Sequence, residues 1–207
     1  MSRRADPGLP EVAAAQRARL PAGERRKAVL DSACRVFFAR SYRGATMAEI
    51  AREAGISEPI LYRHFGSKRT LYIACLDEAW RLFRALAEEA LAENPSGCLG
   101  AIMDAYMEKR AKLRLVDLWI QAIGQASEDE PVAAAVRSQI LELHGFVADV
   151  IRRGQADGML HRDRDPDAEA WIFVAGGLLA TIDQRLGGLL GDDLERVRAA
   201  RRAWMAP

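Results

Sequence analysis

The sequence predicts an all-helical fold, and three observations predict it. Apolar residues recur at spacings of three and four along most of the chain, and the breaks between these runs carry capping residues, glycine or proline. No run alternates apolar and polar residues as a half-buried strand would. The chain has 207 residues and is 50% hydrophobic, enough for a core in one good-sized domain or in a small domain packed on a larger one.

The first segment, residues 1–22, mixes Pro7, Gly8, Pro10 and Pro21 with scattered arginines and has too little apolar periodicity to hold a fold, so a flexible basic arm is expected. Arg3 and Arg4 admit two readings, a contact in a minor groove or a leader without a role. From Glu24 to Arg40 the residues Val29, Leu30, Ala33, Val36 and Phe37 fall on one helical face.

A short helix follows at Thr46, whose hydroxyl is placed to accept from the amide of Glu49 while the Glu49 carboxylate reaches back to the amide of Thr46. Gly55 stands where a chain leaving a helix needs a positive φ, and Ser57 is placed to cap the next helix. Pro59 lies in the first turn of that helix, where a missing amide costs no hydrogen bond, and Gly66-Ser67 ends it and caps a third. Two short helices joined by a tight turn make a helix-turn-helix.

Three stretches, Gly55-Ile56-Ser57, Leu61-Tyr62-Arg63-His64-Phe65 and Ser67-Lys68, all preceded by an amphipathic helix, resemble the DNA-binding domain of TetR-type repressors. The remainder of the chain resembles that bacterial family in helix layout rather than in sequence. The resemblance implies an amino-terminal helix-turn-helix domain joined by a long helix to a larger helical domain for effector binding and dimerisation. It divides the chain into the arm at 1–22, a DNA-binding domain at 23–67 and a second domain at 68–207. Ser41 departs from the glycine usual for the family at the end of the first helix, so a strained or differently shaped turn is expected there.

Charge is divided in the same place. Residues 1–70 hold 14 Lys+Arg against 7 Asp+Glu (net +7), and residues 71–207 hold 16 against 22 (net −6). A basic end on an acidic body orients a molecule toward a duplex, because phosphate neutralisation supplies most sequence-independent affinity; chance clustering is the other reading.

On the helix from Ser57 to Phe65, Leu61 and Phe65 point to the core, which leaves Glu58, Pro59, Ile60, Tyr62, Arg63 and His64 outside. Carried over from the family pattern, Thr46, Tyr62, His64 and Lys68 would bind phosphates while Glu58, Pro59, Ile60 and Arg63 face base edges. Arginine bonds the O6 and N7 of guanine, glutamate accepts from cytosine N4, and Ile60 would touch a thymine methyl. Two plainer readings stay open: an acid in a first turn, such as Glu58, is favoured by the helix dipole alone, and His64 would serve as an ordinary surface histidine.

After Ser67 a long helix is predicted to about Ala92, with Leu71, Cys75, Ala79, Leu82, Phe83, Leu86 and Ala90 as its buried face. It would connect the two domains. Asn94-Pro95-Ser96-Gly97 breaks it, and segments at 98–111, 113–127 and 131–155 follow. On them Met103, Tyr106, Met107, Trp119, Ile123, His144 and Phe146 form a bulky apolar set, with Gln121, Gln125 and His144 as polar anchors. Plain core is the alternative; a pocket built this way suits a small, largely apolar effector.

After a charged loop from Gly158 to Pro166, the last pair of helices is expected at 167–187 and 192–205. Residues 171–182 are apolar nearly all round, so the helix is either fully buried in a monomer or covered by a second copy. The second reading places Trp171, Ala175, Gly176, Leu179 and Ala180 with Leu194, Val197 and Trp204 in a two-fold four-helix interface. Twinned recognition helices about 34 Å apart would then read a palindromic operator on double-stranded DNA.

Other classes find little support. Cys34, Cys75 and Cys98 are odd in number and far apart, and His64, His144 and His161 stand alone, so no metal site and no cofactor is expected. No nucleophile elbow, Walker loop or metalloprotease motif occurs, so no catalytic residue is assigned and an enzyme is not expected. The longest apolar run, Trp171 to Ile182, is too short for a bilayer, and no signal-peptide core is present; a soluble cytoplasmic protein without membrane contact is expected. A ligand-independent architectural DNA binder and a helical interaction module remain the rival functions.

Overall fold

A computed structural model describes residues 22–95, 98–113 and 115–207. Among the described residues the chain forms nine helices and no strand. They are α1 (Ala22–Gly44), α2 (Met47–Ala54), α3 (Glu58–Phe65), α4 (Lys68–Glu93), α5 (Cys98–Leu113), α6 (Leu115–Ala126), α7 (Glu130–Ala156), α8 (Pro166–Arg185) and α9 (Asp193–Met205). The expected arm, apart from its last residue, lies outside the described residues.

Helix α1 buries Val29, Leu30, Ala33 and Phe37, as its periodicity predicts. Near its end Ser41 sits at φ 62 and ψ 172, a region an L side chain enters only with strain, so the position without the usual glycine is the position of the kink. Helix α2 has both halves of its capping box: Glu49 N donates to Thr46 Oγ1 at 3.1 Å and Thr46 N donates to Glu49 Oε2 at 3.1 Å. It ends on Gly55 at φ 68, whose N–H reaches the carbonyls of Ala51 and Arg52. Ser57 corrects one expectation, because its side chain makes no capping bond; only its carbonyl serves α3, accepting from the amides of Ile60 and Leu61. Ser67 does cap α4, accepting from Thr70 N at 3.0 Å.

Helix α4 has 26 residues, so it runs about 39 Å. Its buried face is wider than one stripe: Tyr72, Leu76, Trp80 and Ala87 join the predicted residues, and Leu82 is only half-buried. The reason is its position, packed against α1 and α3 near its start and against α5, α6 and α7 beyond. Helices α7 and α8 pack along each other, and the carbonyl of Met205 at the end of α9 accepts from the amide of His161 at 3.0 Å.

Helix α9 carries charge as well as apolar residues on its inner face. Leu194, Arg198, Arg201 and Met205 face the body while Val197 and Trp204 stay exposed. The buried carboxylate of Glu169 on α8 explains the inward charge, since it pairs with Arg201 and accepts from Trp204 Nε1 at 3.0 Å. No described helix is long and apolar enough to cross a membrane, and no group of three His, Cys, Asp or Glu among the described residues is placed to hold a metal ion.

Candidate nucleic-acid interface

The first candidate surface is the outer side of α2 and α3. Leu61 and Phe65 anchor α3 in one core with Ile50, Ala51 and Ala54 of α2 and Leu71 of α4, so the helix cannot roll without opening that core. With those two residues inside, Pro59, Tyr62, Arg63 and His64 are exposed and Glu58 and Ile60 are half-buried.

Two expected phosphate ligands are placed differently. The Thr46 hydroxyl accepts from Glu49 N and lies 3.1 Å from Glu49 Oε2, so its hydrogen bonds are spent within the cap. Lys68, expected to bind a phosphate, is turned back on the protein: Nζ donates to Ala45 O at 2.8 Å and to Arg43 O at 3.5 Å and lies 4.8 Å from the centre of the Tyr42 ring. Partial burial holds that ammonium below its ordinary pKa. The lysine closes the carbonyl end of α1 beside the strained Ser41 turn.

Arg40 and Arg52 are exposed cations that motif reading passed over. Arg40 is near the end of α1 and Arg52 is in the last turn of α2, and their charges add to the hydrogen bonds from Thr46 that hold the Glu49 carboxyl below its ordinary value. They lie on two helices, and only the packing of α1 against α2 brings them to one carboxylate. Arg26 of α1 lies 4.5 Å above the ring of Phe65, behind the recognition helix.

The second candidate is an apolar cavity of about 30 Å³. That is space for about two water molecules. Phe83 of α4, Ile102, Met103 and Tyr106 of α5, Trp119 of α6, Ile140 and Leu143 of α7, and Phe173, Val174, Gly177 and Leu178 of α8 line it. Met103, Tyr106 and Trp119 were expected together and are together. Three others are elsewhere, because the faces of α6 and α7 they occupy turn away from the cavity. Ile123 is exposed, and His144 bonds the carbonyl of Asp167 at 2.9 Å and packs on Trp171. Phe146 opens on an outer groove beside Arg84 and Arg152. The side chain of Met107 lies outside the described residues. Gln125 accepts from Arg43 Nε at 3.3 Å rather than facing the cavity, and Gln121 is not among the lining residues. Phe83, Phe173 and Leu178 were missed because their spacing reads equally well as connector core or subunit contact.

The third is the outer face of α8 and α9. Trp171, Ala175, Val197 and Trp204 are exposed and Gly176, Leu179 and Leu194 are half-buried. Ala180 is a correction, buried within its own subunit because it lies on the opposite face of α8. The structure adds Ile172, Ile182, Leu186 and Leu189, which are 48%, 43%, 63% and 62% exposed. Isolated exposed apolar residues are ordinary, but those along α8, followed by Leu186 and Leu189 just beyond its end, mark a candidate contact face.

Residues 29–75 match the family model described as bacterial regulatory proteins, tetR family, and residues 95–183 match that of the BetI-type transcriptional repressor, C-terminal. The HTH-type transcriptional activator FasR of Mycolicibacterium smegmatis is 53% identical over 58 residues, 28% of this chain and 26% of that protein. The chain thus aligns with about a quarter of that relative's length. The HTH-type transcriptional repressor AcnR of Corynebacterium jeikeium is 27% identical over 186 residues, 87% of this chain and 93% of that one. A Rhodococcus sp. crystal structure described as TetR-family shares the fold with a TM-score of 0.77 at 22% identity, covering 89% of this chain and all of that one. AibR, crystallised with isovaleryl coenzyme A and operator DNA, shares it with a TM-score of 0.58 at 24% identity over 74% of this chain and 84% of its own.

Proposed function

This chain belongs to the TetR family of bacterial regulatory proteins and is a DNA-binding transcriptional regulator; from that premise we propose a homodimeric repressor that holds a palindromic operator and is released by a small, largely apolar effector. Residues 23–67 serve as the DNA-binding domain and 68–207 as the effector and dimer domain of a soluble cytoplasmic protein. The repressor direction follows the relative that spans most of the chain, AcnR. One observation carries the reading: α4 begins directly behind the recognition helix and brings Phe83 into the cavity wall, so one rigid element touches both surfaces.

On DNA, Arg63 bonds guanine O6 and N7, Glu58 accepts from cytosine N4, and Pro59 and Ile60 lie against base edges. Tyr62 and His64, with Arg40 of α1 and Arg52 in the last turn of α2, hold phosphates. The face from Trp171 to Leu186, with Val197 and Trp204, joins two copies so that their recognition helices meet successive major grooves. The cavity wall carries no charged residue, which favours an uncharged apolar ligand. Moving most molecules from bound to released requires that ligand to prefer the released arrangement by about 5 kcal/mol.

The test is selection of bound duplexes from a random DNA pool at moderate salt. An enriched inverted repeat supports the proposal. Salt-sensitive binding without enrichment would make the protein an architectural binder, and no binding would leave an interaction module. On the enriched site, Arg63→Ala should relax one position per half-site and cost about 1 to 3 kcal/mol; unchanged preference would remove Arg63 from the base-reading set.

A further inference from the structure

Gln139 interrupts the apolar inward face of α7, which otherwise buries Val132, Val136, Leu143 and Val147. It is 3% exposed, and an apolar residue of its size would fill the site without an amide to satisfy. Both ends of that amide are used across helices. Its Oε1 accepts from Trp119 Nε1 of α6 at 2.8 Å, and its Nε2 donates to Asp77 Oδ1 of α4 at 2.8 Å.

Trp119 is 1% exposed and lines the cavity, while the Asp77 carboxylate of α4 is part-buried where it meets Gln139 of α7. The chain of bonds therefore runs from the cavity wall to the connector helix. The Trp119 ring cannot turn about its long axis without breaking the bond to Gln139 or pulling that amide with it. Asp77 is nine residues beyond Lys68, about 14 Å along α4 from the recognition helix. A second bond joins the same two helices but bypasses the cavity: Trp80 Nε1 of α4 donates to Glu142 Oε2 of α7 at 2.8 Å.

We infer that Gln139 is a positioning residue for operator control, the Trp119–Gln139–Asp77 relay converting displacement of the cavity-wall indole into displacement of α4. This inference rests on the proposed reading of the cavity as an effector site. It assigns the buried glutamine a task that satisfaction of the Trp119 N–H alone would not require, because its second bond ends on α4.

A cavity-filling substitution stands in for the effector. Gly177 is in the cavity wall and a Cβ there meets nothing within 4 Å, so the first carbon of Gly177→Leu is accommodated and the rest of the side chain overfills a space of about 30 Å³. Operator affinity is measured, on the site obtained by selection, for the full-length wild type, G177L, D77A and the double variant. Asp77→Ala cuts the relay at its less buried end and takes the acceptor from the buried Gln139 Nε2, so circular dichroism and thermal unfolding confirm that each variant is folded. Gln139→Met is the stricter cut. G177L should weaken operator binding about tenfold in the wild type. With the relay cut it should weaken binding less than about threefold. An equal weakening in both backgrounds would overturn the relay and leave the effector reading standing. No change in operator affinity on filling the wild-type cavity would overturn both.

Discussion

Helix α3 turns Leu61 and Phe65 inward and leaves Tyr62, Arg63 and His64 outside, whereas α8 and α9 leave Trp171, Ile172, Ile182, Leu186, Val197 and Trp204 outside and bury Glu169. A surface that meets DNA must stay soluble between encounters and offer donors and cations when it binds, so polar residues belong outside. A surface joined permanently to a copy of itself has no such need, and its outward residues can be those of a core. On the proposed reading the two ends of the chain solve opposite problems with the same helical element.

The comparison breaks most severely at the anchors of α3. Leu61→Ala empties a fully buried site and should cost about 3 kcal/mol in chemical unfolding, with operator binding lost and the subunit mass on light scattering unchanged. A cost under about 1 kcal/mol would mean that α3 does not share the core of α1, α2 and α4. Lys68→Ala separates structural from DNA-facing cations. Loss of its charged hydrogen bonds to Ala45 and Arg43 should lower stability by about 1.5 to 3 kcal/mol while the salt dependence of DNA binding stays the same. A salt slope reduced by about one unit with unchanged stability would return Lys68 to the phosphate set.

At the other end Gly176→Leu adds a side chain where the subunit's own atoms leave open space, so the fold of one copy should be unaffected. Between two copies the same side chain overfills the contact by about 1 to 3 kcal/mol, and the mass on light scattering should fall by half. An unchanged mass would move the interface off this face.

The smallest effect is a pH dependence at α2. Glu49 has its folded pKa below the ordinary 4.5, chiefly through the Thr46 hydrogen bond, so its contribution is present above pH 4.5 and is lost as pH falls through the folded value. Thermal unfolding of the wild type should therefore lose slightly more stability than Glu49→Gln on acidification below pH 4.5. Parallel curves would show that ionisation of Glu49 carries no measurable load.

Legibility divided along the same line. The start of α2, its end at Gly55 and the inward pair Leu61 and Phe65 were readable because each depends on residues within four positions along the chain. The kink at Ser41 was readable only through the family resemblance, in which a glycine is usual at that helix end. The cavity was only partly readable. Periodicity says that Phe83, Trp119 and Phe173 face inward but not that they face one another, and it gives Ile123 the same score as its buried neighbours until α6 is packed.

What the sequence by itself determined was the helical architecture, the helix-turn-helix with its polar outer face, and the surplus of apolar residues on α8. Those follow from spacing, capping and composition, which act through near neighbours. Only the tertiary structure decided that Lys68 closes α1, that Arg40 and Arg52 share one carboxylate, that Ala180 belongs to its own subunit, and that Gln139 joins Trp119 to Asp77. Gln139 and Asp77 are 62 positions apart and Lys68 and Ala45 are 23 apart, so their hydrogen bonds exist only once helices without local claims on one another are packed side by side.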